Sequence, residues 1–192
     1  EDTMQAGHFK NNPEAVELMI RSSKEIVEIL MEYGVEFERR NGEFAFTREG
    51  GHSKPRILYH EDVIGKEITG KLLELAKKRA NITIYEHTEM IDILCDGDRC
   101  CGIAAVDNQG EITAIRAAHT VFASGGIGGL YQYSTNFPHL TGDAVAVALR
   151  HEIKLKDLNF VQIHPTTLYS KKPGRKFLIS ESVRGEGAVL YN

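Results

Sequence analysis

The 192-residue chain contains no tryptophan, five prolines and three cysteines. Cys95, Cys100 and Cys101 are too few, and odd in number, for a disulfide-stapled scaffold; they point to a reduced, cytoplasmic setting. Cys100 and Cys101 are neighbours on a predicted strand, where adjacent side chains face opposite ways. No fourth ligand stands at a zinc-like spacing, so the thiols read as buried or half-buried and no metal is expected. Long apolar runs are also missing. The longest are short and broken by charge, as in Ile103-Ala104-Ala105-Val106, which excludes a membrane-spanning helix. Nor is there an excess of positive charge: 23 Lys and Arg stand against 27 Asp and Glu, a net −4. That balance argues against a nucleic-acid or anionic-membrane partner. The opening Glu1-Asp2-Thr3 lacks the basic and apolar regions of a signal peptide and an initiator Met, so an internal segment is expected.

What is present is a globular composition, 42% hydrophobic and 26% charged, long enough for one domain and part of a second. Asn12 can cap and Pro13 can open a helix over residues 12–34, with Val16, Met19, Ile20, Val27 and Leu30 at helical spacing. A second helix is predicted over about 62–79, carrying Ile64, Ile68, Leu72, Leu75 and Ala76 on one face. Both stripes read as core. Between them, the polar stretch 39–60 contains Thr47-Arg48-Glu49-Gly50-Gly51-His52, a loop that concentrates charge where a turn needs glycine. From residue 82 the period becomes that of strands, predicted at 82–85, 90–95, 101–106 and 112–116. The short turns Asp96-Gly97-Asp98 and Asp107-Asn108-Gln109-Gly110 make them an antiparallel meander. A further strand over 119–123 ends at Ser124-Gly125-Gly126, small residues that let backbone approach a ligand. The glycines there do not form a dinucleotide fingerprint, because Tyr131 stands where the last glycine belongs. Thr141-Gly142-Asp143 then precedes a small-residue helix over 144–150.

Six motifs, in order, carry a resemblance: Thr47-Arg48-Glu49-Gly50-Gly51-His52, Ala123-Ser124-Gly125-Gly126, Tyr131-Gln132-Tyr133-Ser134-Thr135-Asn136, Thr141-Gly142-Asp143, His164-Pro165-Thr166 and Ser180-Glu181-Ser182-Val183-Arg184-Gly185-Glu186-Gly187. Together they resemble the succinate dehydrogenase, fumarate reductase and L-aspartate oxidase flavoprotein family, and its aspartate oxidase branch most. The implied fold is α/β. Residues 1–154 would be part of an FAD-binding domain with an antiparallel meander, and 155–192 the opening strands of an α+β substrate-capping domain. The Gly-rich FAD fingerprint would lie upstream of Glu1, and the remainder of the cap beyond Asn192.

The resemblance implies a flavin-dependent oxidation of L-aspartate to iminoaspartate, the first step of quinolinate and NAD synthesis. Oxygen or fumarate would be the electron acceptor and quinolinate synthase a candidate partner; the fragment alone would be inactive. By the same resemblance, His164 donates to a substrate carboxylate, where the plain reading is a structural histidine. Ser180 and Glu181 stand where the family carries Thr-Glu, the hydroxyl on a carboxylate and the acid near the proton route. Arg184 corresponds to an arginine of a proton relay with Glu186 nearby; an ion pair ordering the loop is the alternative. Glu49 corresponds to the glutamate that meets the α-ammonium, unless it is an ordinary loop carboxylate; beside a dicarboxylate without an amine it would repel. FAD would be held by Glu89 and Met90 through backbone, by Ser124 and Gly125 at close approach, and by Asp143, each of which could also be ordinary sheet and turn chemistry. A fumarate reductase or succinate dehydrogenase flavoprotein is the rival reading, and a non-catalytic structural or interaction module the rival from another class.

Overall fold

The computed structural model describes every residue except Gly50, Pro165, Leu190 and Asn192, and Glu181 and Ser182 through their backbone alone. In chain order the elements are α1 (Asp2–Ala6), α2 (Pro13–Glu32), β1 (Arg39–Arg40), β2 (Glu43–Phe44), β3 (Phe46–Thr47), β4 (Ile57–Leu58) and α3 (Ile64–Lys77). They continue with β5 (Glu89–Asp96), β6 (Arg99–Val106), β7 (Ile112–Arg116), a 3-10 turn (Gly128–Leu130), α4 (Asp143–Arg150) and α5 (Glu181–Gly185). Two compact units result, one formed by 1–84 with 180–192 and the other by 85–179.

In the first unit, α2 starts where its capping chemistry dictates. The Asn12 side chain accepts from the backbone N–H groups of Glu14 and Ala15 at 3.0 and 3.2 Å, and Pro13 occupies the first helical position, where its missing N–H would have had no partner. The helix then departs from expectation: no residue of its apolar stripe is fully buried. Val16, Val27 and Leu30 are half-buried, and Met19 and Ile20 are exposed. The main neighbour of α2 is the five-residue α1, which is too small to cover a twenty-residue face. α3 likewise buries no residue fully. Among the described residues, the buried apolar side chains of this unit are Val35 and Ala45, around two antiparallel ribbons, β1 with β2 and β3 with β4. Ala45 N–H donates to Glu38 O at 2.9 Å and Glu38 N–H to Tyr59 O at 2.8 Å, which joins the ribbons.

The second unit is built on the meander β5-β6-β7, antiparallel throughout. α4 packs against β5, with Val147, Ala148, Ile93 and Ala105 buried. Val147 is 1% exposed, and burying such a side chain contributes about 2 kcal/mol. The alanines keep the helix close to the sheet. Arg150 donates to Ile91 O at 2.7 Å and His151 Nε2 lies 2.7 Å from Asp92 Oδ1, fixing the C-terminal end of α4 to the same strand.

Three predicted strand segments are corrected. Neither 82–85 nor 119–123 forms a strand, and among the described residues from 155 onward the β-pairing is an isolated bridge between Thr167 and Leu178. Strands exist by pairing, and among the described residues no strand pairs with 82–85 or 119–123; Val121, at the centre of the second, is 86% exposed. The cysteines need a correction too. Leu94 pairs with Gly102 but Cys95 pairs with Cys100, so Cys101 is an extra residue inserted in β6 and simple alternation fails there.

Candidate functional site

In the first unit the charged loop is held at three places. Its base is the β3–β4 ribbon, where Thr47 faces Ile57 and Arg56 N–H donates to Thr47 O at 3.2 Å. Its tip is a turn closed by His52 N–H on Glu49 O at 3.1 Å, with Gly51 at φ +87°. Its far side is fastened by Asp2, whose Oδ2 accepts from Ser53 N–H at 2.7 Å and Ser53 Oγ at 2.9 Å and pairs with Arg56 Nη2 at 2.9 Å. These bonds from Ser53, with Arg56 beside them, hold the Asp2 carboxyl below its ordinary value of 3.8.

The loop is seated directly on α5. Arg48 Nη2 donates to Gly185 O at 2.9 Å. Gly185 is buried, and a Cβ built on it would collide with the Arg48 carbonyl and stand 3.5 Å from Glu49 Cα. The Glu49 backbone is thereby brought against the helix that carries Arg184, with Ser180 immediately before it. Glu49, Ser180 and Arg184 are all half-buried. Ser180 O accepts from Val183 N–H at 3.2 Å, closing the first turn. The Glu181 side chain lies outside the described residues. Beside this junction is a cleft of about 320 Å³, with Arg40, Thr47, Arg48, Tyr59 and Glu186 in its wall.

His164 belongs to the second unit. Its Nδ1 accepts from Thr166 N–H at 3.2 Å, which places the proton of the neutral ring on Nε2 and makes that nitrogen a donor. Thr166 is itself buried and its hydroxyl donates to Ile179 O at 3.3 Å, so the ring is oriented by a fixed residue. Asp143 begins α4, where a carboxylate suits the positive end of the helix, and its Oδ1 accepts from Thr141 Oγ1 at 2.8 Å. Glu89 and Met90 open β5, paired with Val106 and Ala105. Ser124 and Gly125 are exposed in the irregular segment ahead of the 3-10 turn.

Whether these residues suit FAD can be judged from the space around them. Gly142 is buried and left-handed at φ +81°, and a Cβ there would come 2.6 Å from Ile127 Cγ2. Only glycine fits that approach to α4. The exposed run from Ser124 to Gly126 has no side chain larger than a hydroxymethyl, and it leaves main chain open to a planar or anionic group. The residues present fit the cofactor.

Glu49, Ser180 and Arg184 thus share one unit, while His164, Asp143, Ser124, Gly125, Glu89 and Met90 share the other. Three contributors were not legible as such in the sequence. Asp2 lies 51 positions from Ser53, and no local pattern announces it. Arg48 and His52 stand inside the charged motif without an evident task. The structure gives Arg48 the seat on Gly185, and it buries His52 Nδ1 with no hydrogen-bond partner among the described residues. No group of three or more His, Cys, Asp or Glu among the described residues is placed to hold a metal ion. None of the helices among them is long and apolar enough to cross a membrane.

The Asp2 latch has a measurable signature. Its folded-state pKa is depressed, so its stabilisation is fully present above about pH 4 and is lost as the pH falls through the lowered value. At neutral pH, Asp2→Asn is expected to speed hydrogen exchange at the Ser53 amide by about tenfold, as local opening becomes easier. An unchanged rate would show that the loop is held elsewhere.

The family model described as FAD binding domain matches residues 1–192. The L-aspartate oxidase of Clostridium perfringens is 46% identical over 193 residues, covering all of this chain and 44% of that protein. That of Clostridium acetobutylicum is 43% identical over 194 residues with the same coverage. The chain therefore spans less than half the length of these curated relatives. Among solved structures, an E. coli quinol fumarate reductase matches with TM-score 0.91 and 31% identity, covering all of this chain and 32% of its own. From the family match over the whole chain and the likeness to the fumarate reductase flavoprotein, the chain belongs to the FAD binding domain family of flavoproteins, with FAD as its cofactor.

Proposed function

We propose that the whole protein oxidises L-aspartate to iminoaspartate. FAD, when bound, supplies the two-electron acceptor for the hydride leaving Cα, and oxygen or fumarate then takes the electrons. The chain's own residues bind and orient the amino diacid. His164 donates its Nε2 proton to one substrate carboxylate and the Ser180 hydroxyl donates to a carboxylate as well. Glu49 pairs with the α-ammonium, a contact available only to an amino-acid substrate. Glu181 lies along the proton route, and Arg184 with Glu186 keeps that route charged. Glu89 and Met90 meet FAD through their backbone, with Ser124, Gly125 and Asp143 completing the contact. Residues 1–154 contribute to the FAD-binding domain and 155–192 open the cap. The imine formed would feed quinolinate synthase and NAD synthesis in the cytoplasm, a setting that suits three free thiols.

The single observation carrying this reading is the Arg48–Gly185 junction, which sets the Glu49 backbone against the segment bearing Ser180 and Arg184. A second reading, a fumarate reductase or succinate dehydrogenase flavoprotein, draws support from the fold match to quinol fumarate reductase. Glu49 separates the two by charge: a carboxylate attracts an ammonium and repels a dianion without one. Assay of the full-length, FAD-loaded protein with L-aspartate and succinate side by side is expected to show turnover of aspartate at least about a hundredfold above succinate. His164→Gln is expected to lower kcat/KM for aspartate by roughly a hundredfold, the loss of a charge-assisted donor to a substrate carboxylate. Preference for succinate would favour the second reading.

A further inference from the structure

At the C-terminal end of α4, His151, which has no part in the substrate or FAD assignments, bridges two groups on β5. Its Nε2 lies 2.7 Å from Asp92 Oδ1, and its Nδ1 lies 3.7 Å from Cys95 Sγ. With Nε2–H donating to Asp92, the Nδ1 lone pair faces the thiol. The His151 bond first, then the Ile93 N–H at 2.9 Å and Arg150 Nη2 at 3.7 Å from the same carboxylate oxygen, favour an ionised Asp92. The result is an acid–imidazole–thiol line whose thiol is exposed.

Cys95 also has a covalent candidate opposite it. It pairs with Cys100 across β5 and β6. Opposed Cα atoms in antiparallel strands lie about 4.5–5.5 Å apart, within the range of roughly 4.4–6.8 Å that a disulfide spans. Cys100 is half-buried, 3.4 Å from Thr120 Oγ1. Cys101, the inserted residue, is engaged differently, its Sγ 3.3 Å from Leu94 O.

We infer that Cys95 and Cys100 form a redox-modifiable dithiol, which a peroxide oxidises to a cross-strand disulfide with His151 as the base. This site is independent of the substrate reading. The Cys95 S–H proton passes to His151 Nδ1, and the sulfur attacks a peroxide oxygen. The O–O bond breaks, Cys95 becomes a sulfenic acid, and water or an alcohol leaves with the proton from His151. Cys100 sulfur then attacks Cys95 sulfur; the S–S bond forms, the S–O bond breaks, and hydroxide leaves as water with the Cys100 proton. Two thiols lose two electrons and one peroxide gains them. The division of labour between the sulfurs follows their surroundings. Desolvation and the adjacent thiols push Cys95 up and the Thr120 hydroxyl draws Cys100 down, so it is the imidazole 3.7 Å from the exposed Cys95 sulfur, and not its own acidity, that makes Cys95 the first to react.

The test uses full-length, FAD-loaded protein treated with hydrogen peroxide, alkylated, and digested with trypsin without reduction. Cleavage after Arg99 puts Cys95 on one peptide and Cys100 with Cys101 on the next. The expected result is a joined pair of peptides linked through Cys100, separated again by dithiothreitol, with two of these three thiols lost to titration. His151→Gln, which retains a donor toward Asp92, is expected to slow joining by about tenfold or more. Cys100→Ser is expected to stop at a sulfenic acid on Cys95, labelled by dimedone. The inference is overturned if the peptides stay separate with all three thiols titratable, if the link runs through Cys101, or if His151→Gln leaves the rate unchanged.

Discussion

Glu49→Gln in the full-length protein is expected to lower kcat/KM for L-aspartate by about 30- to 150-fold while leaving fumarate reduction within about threefold of wild type. The first figure is a charge-assisted contact of roughly 2–3 kcal/mol removed from a half-buried carboxylate. The second follows because fumarate has no ammonium for Glu49 to meet, so the substitution removes only a repulsion. The side chain stays the same size and keeps a polar end, so the loop seated on Gly185 is left in place. Steady-state kinetics with both substrates on the same preparation checks it. An equal fall for both would mean that Glu49 supports the loop and does not read the amine.

Gly185→Ala should have the largest structural effect. The added methyl would collide with the Arg48 carbonyl and press on the Glu49 backbone, and neither is the movable end of a flexible side chain. Overpacking against backbone costs about 3 kcal/mol. In activity, the displaced loop is expected to lose at least about tenfold on aspartate and on fumarate together, unlike the selective loss from Glu49→Gln. Gly65→Ala is the matched control: it sits in α3 with nothing within 4 Å of the new methyl, and is expected to be neutral or stabilising by about 0.5–1 kcal/mol. Thermal melts of the two variants, with kinetics on each, separate packing from chemistry. A Gly185→Ala protein that melts and turns over like wild type would remove the junction from the account.

Much of the fold was legible where the determinants are local. Asn12 and Pro13 mark the start of α2, and the turns at Asp96-Gly97-Asp98 and Asp107-Asn108-Gln109-Gly110 set the meander, all found where expected. What was not legible depends on distant partners. Residues 82–85 and 119–123 carry strand-like sequence but find no pairing neighbour among the described residues. The apolar stripe of α2 is real, yet amphipathicity says only that a face needs cover, not that cover is supplied. The inserted Cys101 shows the limit of counting by twos: one extra residue changes which thiol faces Cys95. In the candidate site, Glu49, Ser180, Arg184 and His164 were singled out by motif. The devices that hold them, Asp2 on Ser53, Arg48 on Gly185 and Thr166 on His164, come from long-range pairing or from hydrogen bonds that no sequence period encodes.

The central claim is that the protein recognises an amino diacid, the Glu49 carboxylate taking the ammonium while His164 and Ser180 take the carboxylates. Anaerobic mixing of the full-length, FAD-loaded protein with L-aspartate tests it in one step, read from the visible flavin absorbance. The account predicts that aspartate bleaches the flavin in wild type and does so at least about tenfold more slowly in Glu49→Gln. A flavin that succinate bleaches and aspartate leaves oxidised would contradict it.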